Sequence, residues 1–205
     1  KLNSGESLSL KNMILRAKQI SNSQSVYIAG LSAGGAMTGI MLLHYPELFT
    51  AGAIIAGLPF PCANDLEQAL RCMKQGSEQT PQQLAQYVKR NSSSYWPRLT
   101  IWFGQQDKIV NPVNSAQLAQ QWRALLDSQI AQEPSAILNT PDGVSIKQWP
   151  NRTNDIQLQL VEFRDIGHGI PVQPALQGGG AEGPYLLAAP MSAAIGITQF
   201  WHISG

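Results

Sequence analysis

Long apolar runs, charge and cysteine are all scarce in this 205-residue chain, and each scarcity narrows the classes of protein to which it can belong. No apolar run reaches the roughly 18 residues of a membrane-spanning helix, so no membrane partner is expected. Charged residues make up 13% and the formal net charge is +1, which excludes the basic footprint of a nucleic-acid-binding protein. The 43% of hydrophobic residues and the length fit one globular domain.

The two cysteines, Cys62 and Cys72, are too few for a structural zinc site without histidine ligands, and no histidine is near them in sequence. Their spacing favours a small-loop disulfide, with a pair of buried thiols as the alternative. A disulfide would imply an oxidising compartment. No signal peptide is present and the first residue is Lys1, so we expect a processed or trimmed chain.

The stretch from Val26 to Leu43 joins a short β-forming run, a G-x-S-x-G pentapeptide at 30–34 and a run of small apolar residues that predicts a helix. Strand, glycine-flanked turn and helix are the context of a nucleophile elbow, which presents a serine at the start of a helix. Ser32 is therefore the predicted nucleophile, and the N–H of Ala33 would face an oxyanion formed beside it. The alternative is an ordinary glycine-rich turn that contains a serine.

Alternating strand and helix signals predict an α/β fold, a mostly parallel sheet flanked by helices, in a single domain over residues 1–205. The stretch 62–97, rich in Gln, Ser and Asn, is expected to form a helical excursion outside the sheet. The predicted helices are 6–20, 33 to about 44, 115–126 and 193–203, and the predicted strands are 26–29, 51–56, 99–103 and an edge-proximal 156–163. Residues 130–149 are predicted as a loop or irregular hairpin, and a Gly/Pro-rich loop is predicted up to residue 190.

Two polar residues come just past the ends of predicted strands: Asp107, and His168 within a Gly-His-Gly segment. Functional residues of parallel sheets gather at the carboxyl ends of the strands, and an α/β-hydrolase has its triad in the order Ser, acid, His. We therefore expect His168 to take the proton of Ser32 and Asp107 to orient His168. The alternatives are a turn-forming Asp107 and a solvated loop imidazole; Asp165 and Asp142 are weaker candidates for the acid.

Several blocks of sequence carry a family resemblance and follow one another in the same order as in that family. They are YIAGLSAGGAMT at 27–38, HYPELFTAGA at 44–53, AGLPF at 56–60, IWFGQQDKIVNPVN at 101–114, QW at 121–122, GHGIP at 167–171 and AEGPYLL at 181–187, ahead of the helix that contains FW at 200–201. Together they resemble the poly(3-hydroxybutyrate) depolymerase family of esterases.

The resemblance implies an α/β-hydrolase fold and a Ser–Asp–His triad that matches Ser32, Asp107 and His168. It also implies ester hydrolysis without a cofactor or a metal, pairing of Cys62 with Cys72, and export, secreted or periplasmic, from a bacterial cell. The expected substrate is a small hydroxyalkanoate ester or a polyester. A feruloyl or acetyl-xylan esterase is the alternative within the same chemistry. A non-catalytic fragment that binds polymer or a partner chain is the alternative from another class.

The sequence departs from the family pattern in three places. The first strands of the sheet, and the upstream loop that carries the second oxyanion donor, have no counterpart, so we expect a C-terminal portion of a domain or a separate chain or segment that supplies them. Before Asp107 the family usually has His-Gly-Thr-Ala, where this chain has Phe-Gly-Gln-Gln at 103–106. Before the closing helix, Pro-Met-Ser-Ala-Ala at 190–194 replaces the usual Gly-Ile-Ser-Ser-Thr. These changes leave the triad intact but weaken the transfer of substrate preference.

Overall fold

A computed structural model describes residues 5–89 and 95–203 of the chain. The helices within these ranges are α1 (Gly5–Ser21), α2 (Ala33–His44), α3 (Leu66–Gln75), α4 (Pro81–Lys89), α5 (Val113–Leu126) and α6 (Ala193–Phe200). The strands are β1 (Tyr27–Leu31), β2 (Ala51–Ile55), β3 (Arg98–Gly104), β4 (Ala136–Asn139), β5 (Val144–Pro150), β6 (Ile156–Phe163), β7 (Ile170–Val172) and β8 (Leu186–Ala188). Short 3₁₀ turns occupy Pro46–Leu48 and Asp127–Gln129.

Six of the strands form one twisted layer in the order β1-β2-β3-β6-β5-β4. The pairs β1–β2, β2–β3 and β3–β6 are parallel, whereas β5 and β4 continue the sheet antiparallel. At the other end of the sheet, β1 has no second strand partner within 5–89 and 95–203. The mostly parallel, helix-flanked sheet predicted from the strand–helix alternation is therefore confirmed.

Helices cover both faces of the sheet, as the continuous apolar sequences of β2 and β3 require for strands that are buried on both sides. One face packs against α2, α4 and α5 through a cluster that includes Leu42, Ile101 and Trp122. The other face packs against α6 through Trp102, Phe163, Ile197 and their neighbours. None of the helices in the described ranges is long and apolar enough to cross a membrane.

The strand β6 is not edge-proximal, contrary to the sequence-based prediction. It pairs with β3 on one side and with β5 on the other. The segment predicted as a loop or irregular hairpin is a β4–β5 hairpin whose turn includes Gly143 at φ 86°. Because this hairpin adds two antiparallel strands outside β6, the strand predicted to lie near the edge lies in the interior of the sheet.

The chain after β6 also contains structure that the sequence did not predict. Within the Gly/Pro-rich segment, β7 and β8 pair in parallel as a separate two-stranded sheet. The last helix ends at Phe200, short of the predicted Ile203, and His202 has a φ of 57° that a continuing helix would not allow. The strand pairing of β7 and β8 brings the end of the loop back to the segment that follows His168.

The predicted helical excursion outside the sheet is formed by α3 and α4, with residues 90–94 lying outside the described ranges. The predicted disulfide is confirmed: Cys62 pairs with Cys72, and their Cα atoms are 6.2 Å apart. Cys72 lies in α3 and is 3% exposed. The bond therefore ties α3 to the chain segment that leaves β2.

Reduction of this disulfide is expected to destabilise the protein. The two cysteines are separated by 10 positions. Closing a loop of about that length restricts the unfolded chain enough to add about 2.5 to 3 kcal/mol to the free energy of unfolding. Urea titrations followed by tryptophan fluorescence, with and without reductant, measure the difference. A Cys62→Ser/Cys72→Ser double variant serves as the control, because its urea midpoint should equal that of the reduced protein and should not change when reductant is added. An unchanged midpoint of the wild type on reduction would contradict the prediction.

Candidate active site

The segment between β1 and α2 has the backbone of a nucleophile elbow. Ser32 has φ 56° and ψ −118°, a conformation that costs free energy for any residue other than glycine and that clusters at functional sites. Its N–H donates to the Ile55 carbonyl at the end of β2 over 2.9 Å. A Cβ added at Gly30 would overlap the Gly34 carbonyl, so the close approach of strand and helix requires a glycine there.

The elbow leaves the serine at the N-terminus of α2. Ser32 is half-buried, and Ala33 and Gly34 behind it are exposed. Because Ala33 is the first residue of α2, its N–H has no acceptor within the helix. The positive end of the helix dipole lies at the same place, which favours a negative charge beside Ser32.

Asp107 follows β3, and its carboxylate is held in a fixed position. The side chain is 1% exposed. Its Oδ1 accepts hydrogen bonds from the backbone N–H groups of Ile109 and Val110, both at 2.8 Å. Its Oδ2 lies 2.7 Å from Nδ1 of His168. The loop's own backbone therefore orients one oxygen and leaves the other for the imidazole.

His168 follows β6, and its side chain is 7% exposed. An ionised carboxylate only accepts hydrogen bonds, so Nδ1 of His168 is the donor in the contact with Asp107, and in a neutral imidazole Nε2 then carries the lone pair. The two loops that carry these residues touch: the N–H of Gln106 donates to the Ile166 carbonyl at 3.0 Å. A Cβ at Gly104 would overlap that same carbonyl, so this contact also depends on a glycine.

The remaining candidates lie away from this pair. Asp165 forms an exposed ion pair with Arg164, and Asp142 lies in the β4–β5 turn. His44 ends α2 with its ring edge on Phe60, and burial lowers the pKa of its imidazole below the ordinary value. The predicted acid and base, Asp107 and His168, are thus brought together. Ser32 follows β1, which runs parallel to the strands that precede Asp107 and His168, so its elbow lies at the same carboxyl edge of the sheet.

Comparison with known proteins places the chain in a family. The family model described as "Esterase PHB depolymerase" matches residues 3–133. The chain belongs to the PHB depolymerase family of esterases. Poly(3-hydroxyalkanoate) depolymerase C of Paucimonas lemoignei is 31% identical over 208 residues, which cover 98% of this chain and 50% of that protein. Feruloyl esterase B of Thermothelomyces thermophilus is 30% identical over 176 residues, 80% of this chain and 58% of that protein.

Two solved structures share the fold of this PHB depolymerase family member. An acetyl xylan esterase from Aspergillus awamori superposes with a TM-score of 0.75 at 20% identity, covering 98% of this chain and 68% of the other. A PHB depolymerase in complex with an R3HB trimer superposes with a TM-score of 0.59 at 19% identity, covering 88% and 52%. The fold is that of the α/β-hydrolase esterases. The chain spans about half the length of the curated relatives it matches.

Tyr185 lies beside His168, and no pattern in the sequence of this family member predicts that contact. The ring of Tyr185 meets the ring of His168 edge to face, with centroids 6.3 Å apart and an interplanar angle of 90°. Tyr185 is 58% exposed and has φ 60°, and its carbonyl accepts from the N–H of Ile170 at 2.8 Å. Its conformation depends on the β7–β8 pairing, which no local sequence pattern signals.

Proposed function

We propose that this chain carries the catalytic triad of a serine esterase that hydrolyses hydroxyalkanoate esters or the corresponding polyester. Ser32 is the nucleophile, His168 the general base and acid, and Asp107 the residue that orients the imidazole. The observation that carries the proposal is the 2.7 Å contact between His168 Nδ1 and the buried Asp107 carboxylate. This contact lies at the carboxyl edge of the sheet, where the Ser32 elbow also lies. Family membership supports the same chemistry.

The proposed reaction has two halves. His168 Nε2 removes the proton of Ser32 as its Oγ attacks the ester carbonyl carbon, and the resulting imidazolium is stabilised by Asp107. The tetrahedral oxyanion accepts a hydrogen bond from the N–H of Ala33, which provides half of an oxyanion hole. The intermediate expels the alcohol, which takes the proton from His168. Water then attacks the acyl-enzyme by the same route and releases the acid.

Two substrate classes compete for this site. The 31% identity to a poly(3-hydroxyalkanoate) depolymerase over 98% of the chain favours hydroxyalkanoate esters. The higher TM-score of the acetyl xylan esterase, and the 30% identity to a feruloyl esterase, favour the carbohydrate esterases as the second candidate. Neither candidate requires a metal or another cofactor, because the triad supplies nucleophile, base and acid.

Two further proposals concern the surroundings of the chain. The Cys62–Cys72 disulfide supports a location outside the reducing cytosol, in the periplasm or medium of a bacterium. The edge of β1 that has no strand partner in the part of the chain that the structure describes, together with the exposure of Ala33, leaves room for a further segment or separate chain to extend the sheet and supply the second oxyanion donor. A chain that only binds polymer or such a partner is the alternative from another functional class.

Hydrolysis of p-nitrophenyl butyrate tests the proposal. The 205-residue chain should release p-nitrophenol, and its Ser32→Ala variant should not, because the replacement removes the attacking oxygen and leaves the fold intact. Labelling with a fluorophosphonate, located by peptide mass spectrometry, should modify Ser32 alone. Equal rates from the two proteins, or no turnover and no labelling in a folded wild-type chain, would contradict the proposal.

The substrate class is measured separately, with the same two proteins. Rates on 3-hydroxybutyrate oligomers, on methyl ferulate and on acetylated xylan distinguish the candidates. A kcat/KM that is highest on the hydroxybutyrate oligomers supports the depolymerase assignment. The opposite order would replace it with the carbohydrate esterase assignment while leaving the triad unchanged.

A further inference from the structure

The first turn of α5 contains a wholly buried carboxamide that the triad chemistry does not use. Asn114 is 0% exposed. Its Nδ2 donates to the backbone carbonyls of Cys72 at 3.0 Å, Met73 at 3.1 Å and Asn111 at 3.1 Å. A buried polar group without a hydrogen-bond partner lowers the stability of the folded protein. Removal of the Asn114 amide would therefore leave these carbonyls without this donor.

The loop at residues 107–112, which begins with Asp107, is named the acid loop. Three more hydrogen bonds join it to the last turn of α3. The N–H of Asn111 donates to the Met73 carbonyl at 2.8 Å, and its Nδ2 donates to the Lys74 carbonyl at 3.1 Å. Lys74 Nζ donates to the Lys108 carbonyl at 2.8 Å. The acid loop is therefore fastened to α3 on both sides of Val110.

The position of the Asp107 carboxylate is set by this loop, because the N–H groups of Ile109 and Val110 hold its Oδ1. A shift of the loop backbone moves Oδ2 away from His168 Nδ1. The helix α3 is in turn fixed by the Cys62–Cys72 disulfide, and Asn114 Oδ1 lies 3.5 Å from Cys72 Sγ. The route from disulfide to catalytic acid is thus continuous through Asn114.

We infer that Asn114 is a positioning residue for catalysis, which holds the acid loop against the disulfide-anchored turn of α3 so that Asp107 meets His168. The inference rests on the proposed esterase function. It differs from a general role in stability because the Asn114 amide donates both to the last turn of α3 and to the Asn111 carbonyl of the acid loop. Gln117, one turn further along α5, binds the helical excursion instead: its Oε1 accepts from the N–H of Ser77 at 2.7 Å and its Nε2 donates to the Ser77 carbonyl at 3.0 Å. Among the described residues, neither of these hydrogen bonds ends on the acid loop.

The experiment compares Asn114→Leu with the matched control Gln117→Leu. In Asn114→Leu we expect kcat to fall by about tenfold or more with KM little changed, since a misplacement of ~1 Å at a reacting group can cost on the order of 100-fold. In Gln117→Leu we expect kcat and KM to stay near the wild-type values, even where the unfolding midpoint drops. Equal kcat values in the two variants would overturn the inference.

Proton NMR gives a readout that does not depend on turnover. The far-downfield resonance of His168 Nδ1–H reports its hydrogen bond to Asp107. It should weaken or shift in Asn114→Leu and persist in Gln117→Leu; persistence in both would overturn the inference. If the wild type shows no serine-dependent turnover but this difference is seen, the proposed function fails, while the finding that Asn114 holds the Asp107–His168 contact in place stands.

A milder series keeps the test valid if Asn114→Leu does not fold. Asn114→Ser retains one donor, and its kcat should lie between those of the wild type and the leucine variant. Combining Asn114→Ser with Cys62→Ser/Cys72→Ser should lower kcat by less than the product of the separate effects, because both changes loosen the same turn of α3. If the effects of Asn114→Ser and Cys62→Ser/Cys72→Ser on kcat multiply fully, or if Asn114→Ser has the wild-type kcat, the proposed route is contradicted.

Discussion

Replacement of Asp107 by asparagine is expected to lower kcat by about 10⁴-fold, the loss that the same change causes in other serine triads. The amide oxygen can still accept from the N–H groups of Ile109 and Val110 at the position of Oδ1. The NH₂ group then faces His168 Nδ1, which must become an acceptor. The imidazole proton is forced onto Nε2, so the histidine has no lone pair with which to deprotonate Ser32.

The control for this variant is Asp165→Asn, three residues before His168. Asp165 is an exposed carboxylate paired with Arg164, and surface ion pairs of this kind contribute little to stability because water screens them. Replacement of Asp165 should leave the rate of p-nitrophenyl butyrate hydrolysis near the wild-type value. A larger loss from Asp165→Asn than from Asp107→Asn would mean that the acid has been misassigned.

The elbow and the acid–base pair were predictable because each depends on local signals. The pentapeptide at 30–34 combines glycines with flanking strand and helix patterns, and these patterns fix the turn within a dozen residues. Asp107 and His168 each come directly after an apolar strand, and parallel strands end at a common edge. Strand order was not needed to expect the Asp107–His168 contact that the structure contains.

The position of β6 in the sheet was not predictable in the same way, because it is decided by pairing with a segment whose pattern is weak. In β4, Ile137 and Leu138 are adjacent and are 58% and 54% exposed, so the alternation typical of a half-buried strand is missing. The sequence therefore predicts only a loop or an irregular hairpin for this segment. Without the hairpin, the sequence predicts no outer partner for β6 and therefore a position near the edge of the sheet.

Asn114 and Tyr185 show a second limit of sequence reasoning. The partners of the Asn114 amide include Cys72 and Met73, 42 and 41 positions away, and a helical pattern gives no reason to expect a buried asparagine there. Tyr185 meets His168 only because two three-residue strands, β7 and β8, pair within a Gly/Pro-rich segment. Both roles depend on contacts between distant segments.

The two glycines of the pentapeptide are expected to respond very differently to the same substitution. A Cβ at Gly30 would overlap the carbonyl group of Gly34 and the backbone nitrogen of Gly35. These atoms belong to the first turn of α2, which cannot move without changing the conformation of Ser32. Gly30→Ala should therefore lower the free energy of unfolding by about 4 kcal/mol or more, in the range reserved for severe steric conflict, and remove esterase activity.

Gly34→Ala is the matched control, because a Cβ there meets nothing within 4 Å. In the first turn of α2, an alanine should leave the free energy of unfolding unchanged or raise it by up to about 1 kcal/mol through helix propensity. Urea unfolding of both variants measures the difference between their free energies of unfolding. Similar values would contradict the close packing of β1 against α2 at Gly30. The expected contrast separates two glycines that the pentapeptide pattern treats alike: Gly30 permits the close approach of strand and helix, whereas the backbone at Gly34 has room for a methyl group.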